Sequence, residues 1–254
     1  VEDTQISNTE VVDETTENEK KNSSKQKRKP SIWALHILFY LIGLAVLALG
    51  VSISRQAGLG LSQLVILPSV FSRIDARFNA DLSHDMGWWV GIVFIIFVII
   101  QMIVLRKDFK PIQLLQIPIS LLYGFLIGTW NGVVASMNIP MPNYLVQLFF
   151  SILGVVIMGI GISIYLTTDV VPLSSEGAPL AIAKKSGKPF PRVKQIFDLS
   201  LVALAIIASL IGLSTIYGED VREGTIIAAV CLGPLIALAN KFTAPIKKFL
   251  NRDK

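Results

Sequence analysis

The chain has 254 residues, 52% hydrophobic and 16% charged, with a net charge of +5 and a single cysteine, Cys231. A soluble domain would need apolar and polar residues to alternate, yet residues 33–54, 88–105, 112–136, 144–167, 195–214 and 224–240 are nearly free of charge, each close to the ~20 residues that cross a hydrocarbon core. The cations lie at span ends, where membrane topology demands them, so the positive charge is not read as nucleic-acid affinity, and one cysteine forms no intramolecular disulfide.

The composition therefore predicts an all-α polytopic membrane protein with six transmembrane helices. In chain order, residues 1–19 carry seven acidic residues and no cation, and residues 20–29 carry six cations and no acid. A stretch so poor in apolar residues cannot offset its ordering entropy, so 1–31 is expected to be a disordered cytoplasmic tail. Its basic half can also touch anionic lipid headgroups. The first span, 33–54, is too long for a signal-peptide core and shows no small-residue cleavage site.

After it, Gln56-Ala57-Gly58-Leu59-Gly60-Leu61-Ser62 leads into an apolar stretch ending at Phe71, too short to span. Ser62 can cap a short helix there, and Arg73, Asp75 and Arg77 end it in water. Residues 168–194 look alike: Asp169 to Pro172, then Ser174-Ser175-Glu176, a short helix, and Lys184-Lys185-Ser186-Gly187. Both are read as broken or re-entrant segments, tolerated at membrane depth only inside protein or beside a wet cavity.

Nineteen of the 23 basic residues precede the first span or follow the second, fourth and sixth, which predicts cytoplasmic N- and C-termini. A constant offset of 111 residues pairs Gly50 with Gly161, Ser52 with Ser163, Ile53 with Ile164 and Pro68 with Pro179. Three spans per half is an odd number, so residues 32–137 and 138–249 are expected to be inverted repeats, followed by a cytoplasmic tail at 250–254. Matched broken segments in inverted repeats point to a transport pathway at their interface.

Asp198 lies about one turn into the fifth span, where an acid costs a few kcal/mol unless paired or hydrated. Lys194, four residues earlier, is within ion-pair reach. Glu176 complements a helix dipole, with Ser174 and Ser175 beside it as caps. The functional reading joins Ser174, Ser175, Glu176, Lys194 and Asp198 in one polar pocket, with Arg55, Ser62 and Gln63 as its outer counterpart. Arg55 also fits a plain anchor at the end of the first span.

Gln101, Gln113, Gln116 and Asn131 read as hydrogen-bonding glue between helices, and Gly124-x-x-x-Gly128 as a close helix contact. Trp33, Trp88, Trp89, Tyr144 and Tyr217 suit the interface. His36 and His84 fall on opposite sides and cannot share a metal; no zinc pair or phosphate loop is present, so neither a metal, a cofactor nor an enzymatic activity is expected.

Glu176-Gly177, a short helix, Arg192-Val193-Lys194 and Asp198 together resemble the YczE/YyaS/YitT family of bacterial integral membrane proteins. Gly58-Leu59-Gly60 and the stretch from Gly224-Thr225 to Gly233-Pro234 are similar to its pattern as well. The resemblance covers roughly 33–245 and implies fold and location more than an activity. In the first half the family's Pro-aromatic-acid triplet is replaced by Gln63-Leu64-Val65, so Glu176 stands without a symmetric partner. The expectation is a secondary transporter or permease for a small solute or ion, its partner the lipid bilayer, compatible with a homo-oligomer. The alternative is a non-transporting accessory or regulatory protein acting through its tail.

Overall fold

The computed structural model describes residues 30–78, 86–213 and 222–250. The charged tail through residue 29, His84, Tyr217 and residues 251–254 lie outside the described residues. Among the described residues, eight α-helices form: α1 (Pro30–Gln56), α2 (Ile66–Phe78), α3 (Met86–Leu105), α4 (Gln116–Ser136), α5 (Tyr144–Leu166), α6 (Ser174–Ser186), α7 (Phe190–Leu213) and α8 (Glu223–Leu250). Two 3-10 turns, Arg106–Asp108 and Pro111–Leu115, connect α3 to α4, and no strand occurs among the described residues.

All of these helices except α2 and α6 belong to segments long and apolar enough to cross a membrane, six in total. At 13 residues each, α2 and α6 reach only about 20 Å at 1.5 Å per residue, short of a ~30 Å hydrocarbon core. Local signals set the ends. Asn143 Oδ1 accepts from Val146 N at 3.0 Å and starts α5. Gly187, with φ +67°, closes α6 in the left-handed conformation that glycine adopts without penalty.

The central contact is between α1 and α5, which run antiparallel. A Cβ on Gly43 would lie 2.6 Å from Tyr165 N, on Gly50 2.6 Å from Met158 N, on Gly154 2.6 Å from Ser54 N, and on Gly161 2.5 Å from Leu47 N. Four glycines thus bring the two backbones into direct contact, as membrane helices do where no large side chain intervenes. Around this pair, α1 packs on α4 and α5 on α8; α3 packs on α6 and α2 on α7; α2 packs on α3 and α6 on α7. α7 also packs on α8, whereas α3 and α4 share no such face.

The helix ends sort into two groups. The His36 ring lies 2.7 Å from Thr168 O and 3.3 Å from Leu250 O, so the start of α1, the end of α5 and the end of α8 meet. At the other end, Arg222 Nη1 donates to Gly58 O at 2.9 Å and Gly224 N to Leu59 O at 2.8 Å. α2 begins at buried residues and ends exposed at Phe78, where Arg77 donates to Gly212 O near the end of α7. α6 begins buried and ends at exposed Lys184 and Lys185, next to the start of α7. The two short helices therefore dip into the bundle from opposite ends of α7.

One expectation needs correction. A Cβ on Gly124 or Gly128 would meet nothing within 4 Å, so this pair makes no helix contact among the described residues. α4 instead turns Ile119, Tyr123, Leu126, Ile127 and Trp130 to the core.

Candidate functional site

The dip of α6 carries Glu176 to a fully buried position, and the first turns of α7 carry Lys194 and Asp198 to the same place. Lys194 Nζ donates to Asp198 Oδ1 at 2.7 Å and lies 3.7 Å from Glu176 Oε1, so the ammonium sits between two carboxylates. Gln63 Nε2, from the segment leading into α2, donates to Asp198 Oδ2 at 3.3 Å. Ser175 Oγ donates to Glu176 Oε2 at 2.6 Å. Two carboxylates and one ammonium, each with no exposed surface, leave one excess negative charge when all are ionised.

Three phenols surround Glu176. Tyr40, Tyr123 and Tyr165 all lie near enough to interact electrostatically with it. Tyr40 OH donates to Val171 O at 2.8 Å, and its ring meets Tyr165 edge-on at 5.9 Å. Among the described residues the Tyr123 hydroxyl completes no hydrogen bond, and the Tyr165 hydroxyl and Glu176 Oε1 interact without a full one. Most buried polar atoms in folded proteins complete a hydrogen bond, which sets these three apart. Pro179 also removes the N–H that a regular helix would donate to the Ser175 carbonyl.

Behind α6, Gln101 and Gln116 exchange two hydrogen bonds of 2.8 Å, and a Cβ on Gly177 would lie 2.5 Å from Gln101 Nε2. The glycine after Glu176 lets α6 rest on this amide pair, which acts as the glue expected of it. Two cavities lie beside α6 and the residues leading into it, neither lined by Gln63, Ser175, Glu176, Lys194 or Asp198. One of about 580 Å³ is lined by Ser163, Thr167, Asp169, Asn240, Thr243 and Lys247, with Pro172 and Leu180 from the α6 side. Another of about 350 Å³ lies between α3 and α4, with Ser62, Ser120, Tyr123 and Ser174 among its lining residues. α6 and the residues leading into it separate the two.

Of the residues singled out in the sequence, Ser175, Glu176, Lys194, Asp198 and Gln63 come together in one cluster. Ser174 stands at its edge, its Oγ 3.2 Å from Ser120 Oγ, and Ser62 lines the smaller cavity. The hydroxyls do not serve as caps: Leu173 precedes α6 without a side-chain cap, and Ser62 Oγ has no partner while its carbonyl receives Val65 and Ile66 N–H. Arg55 is exposed at the end of α1, away from the cluster. Tyr40, Tyr123, Tyr165, Ser120, Asn240 and Thr243 were not legible as site residues; the mid-span phenols of Tyr40 and Tyr123 offered a signal, whereas Tyr165, next to the end of α5, looked like an interface residue.

The motifs that carry the family resemblance also meet in space. Gly60 lies against Thr225, whose Oγ1 donates to Leu61 O at 2.7 Å, and Gly233 lies against the Pro191 carbonyl and Gln195. The model of a family of unknown function, DUF6198, matches residues 34–241. The "Uncharacterized protein YyaS" of Bacillus subtilis (strain 168) is 28% identical over 199 residues, covering 78% of this chain and 89% of that protein. No solved structure matches. With its family match running from α1 into α8 and the likeness to a YyaS-type protein over most of both chains, the chain belongs to the DUF6198 family, as a multi-pass helical membrane protein.

Proposed function

We propose that this protein is a secondary permease for a small solute, not an enzyme, built as two inverted repeats in a bacterial cytoplasmic membrane with both termini in the cytoplasm. The observation that carries the reading is the buried Glu176–Lys194–Asp198 cluster where the segment before α2 meets α6. A buried charge without full compensation is costly in a low-dielectric interior. The cluster relieves that cost by holding a proton or a monovalent cation, and losing it couples the site to an ion gradient.

Repeat symmetry is supported at the α1–α5 contact. An offset of 111 residues maps Gly43 onto Gly154 and Gly50 onto Gly161, and maps the contact of Gly43 with Tyr165 onto that of Gly154 with Ser54. It also maps Gly58, φ +69°, onto Asp169, φ +53°, so each half leaves its first helix through a left-handed residue. Asparagine and aspartate are the side chains best suited to that conformation after glycine. At the same offset Glu176 corresponds to Val65, which is why the acidic cluster is one-sided. Two cavities on either side of a dipping segment fit a site reached alternately from each side.

The test is uptake of solutes from a bacterial metabolite extract into proteoliposomes, comparing the full chain with Asp198→Asn and with a deletion of residues 1–29. The permease reading expects Asp198→Asn to lose uptake and the deletion to keep it. The reverse pattern would favour an accessory protein acting through its charged tail.

A further inference from the structure

The two halves differ in how their last two helices meet. α7 and α8 are closed on each other, with Gly233 against Pro191 and Gln195 and with Gln195 Nε2 donating to Val230 O at 2.8 Å. Their counterparts α3 and α4 are held apart by the 350 Å³ cavity, bridged where Gln101 meets Gln116. That volume falls within the range of small-molecule pockets. Gly91 on α3 and Gly124 on α4 line it, and a Cβ on either would meet nothing within 4 Å, so the groove is as wide as the backbones allow.

The groove is apolar where it faces outward and polar at its floor. Phe94, Ile95, Ile117 and Leu121 form the walls, and Ile95, Ile117 and Leu121 are exposed on the face that would meet lipid. At the floor, Ser62 Oγ and the hydroxyl of Tyr123, a residue only 4% exposed, have no hydrogen-bond partner, and Ser120 and Ser174 stand beside them. A groove with apolar walls and unpaired hydroxyls at its end fits a ligand with an alkyl chain and a polar head. Behind the floor, Tyr123 interacts with Glu176, and the cluster there holds two carboxylates against one ammonium. When the cluster has released its proton or monovalent cation, a cationic head is favoured in that field and an anionic one is repelled.

We infer that the α3–α4 groove binds a cationic single-chain amphiphile that reaches it sideways from the bilayer, its ammonium end at Tyr123, Ser62 and Ser174. The inference rests on the permease reading only in taking this ligand as the transported solute; the binding itself does not depend on flux.

The experiment uses the full chain in nanodiscs, photolabelled with an alkylamine carrying a diazirine on its chain, and with the carboxylate of equal chain length. Labels are mapped by peptide mass spectrometry. The amine is expected to mark α3 and α4 at the groove about tenfold more than the carboxylate does, a difference of ~1.4 kcal/mol. Gly124→Leu, which fills the groove from a position with free space, should abolish this labelling, and Tyr123→Phe should reduce the preference for the amine. Equal labelling by both probes, labelling unchanged in Gly124→Leu, or labels spread evenly over the lipid-facing helices would each overturn the inference. Groove labelling without any solute uptake in proteoliposomes would leave the inference standing and remove the permease reading; uptake of a polar solute without groove labelling would do the opposite.

Discussion

Lys194 is the residue on which the cluster depends. It is fully buried and holds Asp198 at 2.7 Å and Glu176 at 3.7 Å, so removing it strands two carboxylates with no cation. Breaking a buried ion pair from one side costs about 3–5 kcal/mol. Lys194→Met is therefore expected to lower the unfolding temperature in detergent far more than Asp198→Asn, which leaves Lys194 and Glu176 as a balanced pair. Equal losses from the two substitutions would show that the ammonium does not serve both acids. Gly177→Ala tests the support behind the acid: its Cβ would press on Gln101 and Gln116, and overpacking of that kind costs about 1–3 kcal/mol. A thermal shift indistinguishable from wild type would mean that α6 does not rest on that amide pair. The Lys194–Asp198 pair was legible in the sequence because four residues make one helix turn. A pocket joining Glu176 to that pair with Gln63 opposite was expected as well, but the direct contacts of 3.7 Å and 3.3 Å were not legible, because they depend on how far two short helices dip, which spacing along the chain does not encode.

At the scale of elements, glycine identity mattered less than the face it occupies. Gly161 lies where a Cβ would meet the Leu47 backbone, while Gly128 faces open space on α4. Gly161→Ala is expected to destabilise by about 1–3 kcal/mol, and Gly128→Ala to be neutral or to stabilise by up to ~1 kcal/mol through helix propensity. Paired thermal melts in detergent decide this, and a loss at Gly128 comparable to that at Gly161 would mean that the α4 glycines pack against another chain. The sequence displayed Gly50 and Gly161 through their shared offset, yet the Gly124–Gly128 spacing misled. A four-residue repeat marks a smooth stripe on a helix without saying which way the stripe faces.

At the scale of the whole molecule, the six spans were legible because each long helix holds a long apolar stretch with at most two charged residues, and length alone separates it from the 13-residue α2 and α6. The proposed inverted arrangement turns on the direction of the two dips. In a Cys231→Ser background, Phe78→Cys and Ser186→Cys are expected to react with an impermeant maleimide from opposite sides of the membrane, since α2 and α6 emerge at opposite ends of α7. Labelling of both from one side would rule out inversion. What hydropathy could not convey is the asymmetry between halves, which comes from single positions such as Val65 opposite Glu176.

The most direct test of the coupling role of the cluster is solute accumulation in proteoliposomes with internal pH and Na⁺ recorded together, for the wild-type chain and Glu176→Gln at matched thermal stability. The wild type is expected to accumulate at least one solute along with H⁺ or Na⁺, and Glu176→Gln to lose both movements. Coupled accumulation that persists unchanged in Glu176→Gln, or a wild type that accumulates nothing beyond empty vesicles, would contradict the account.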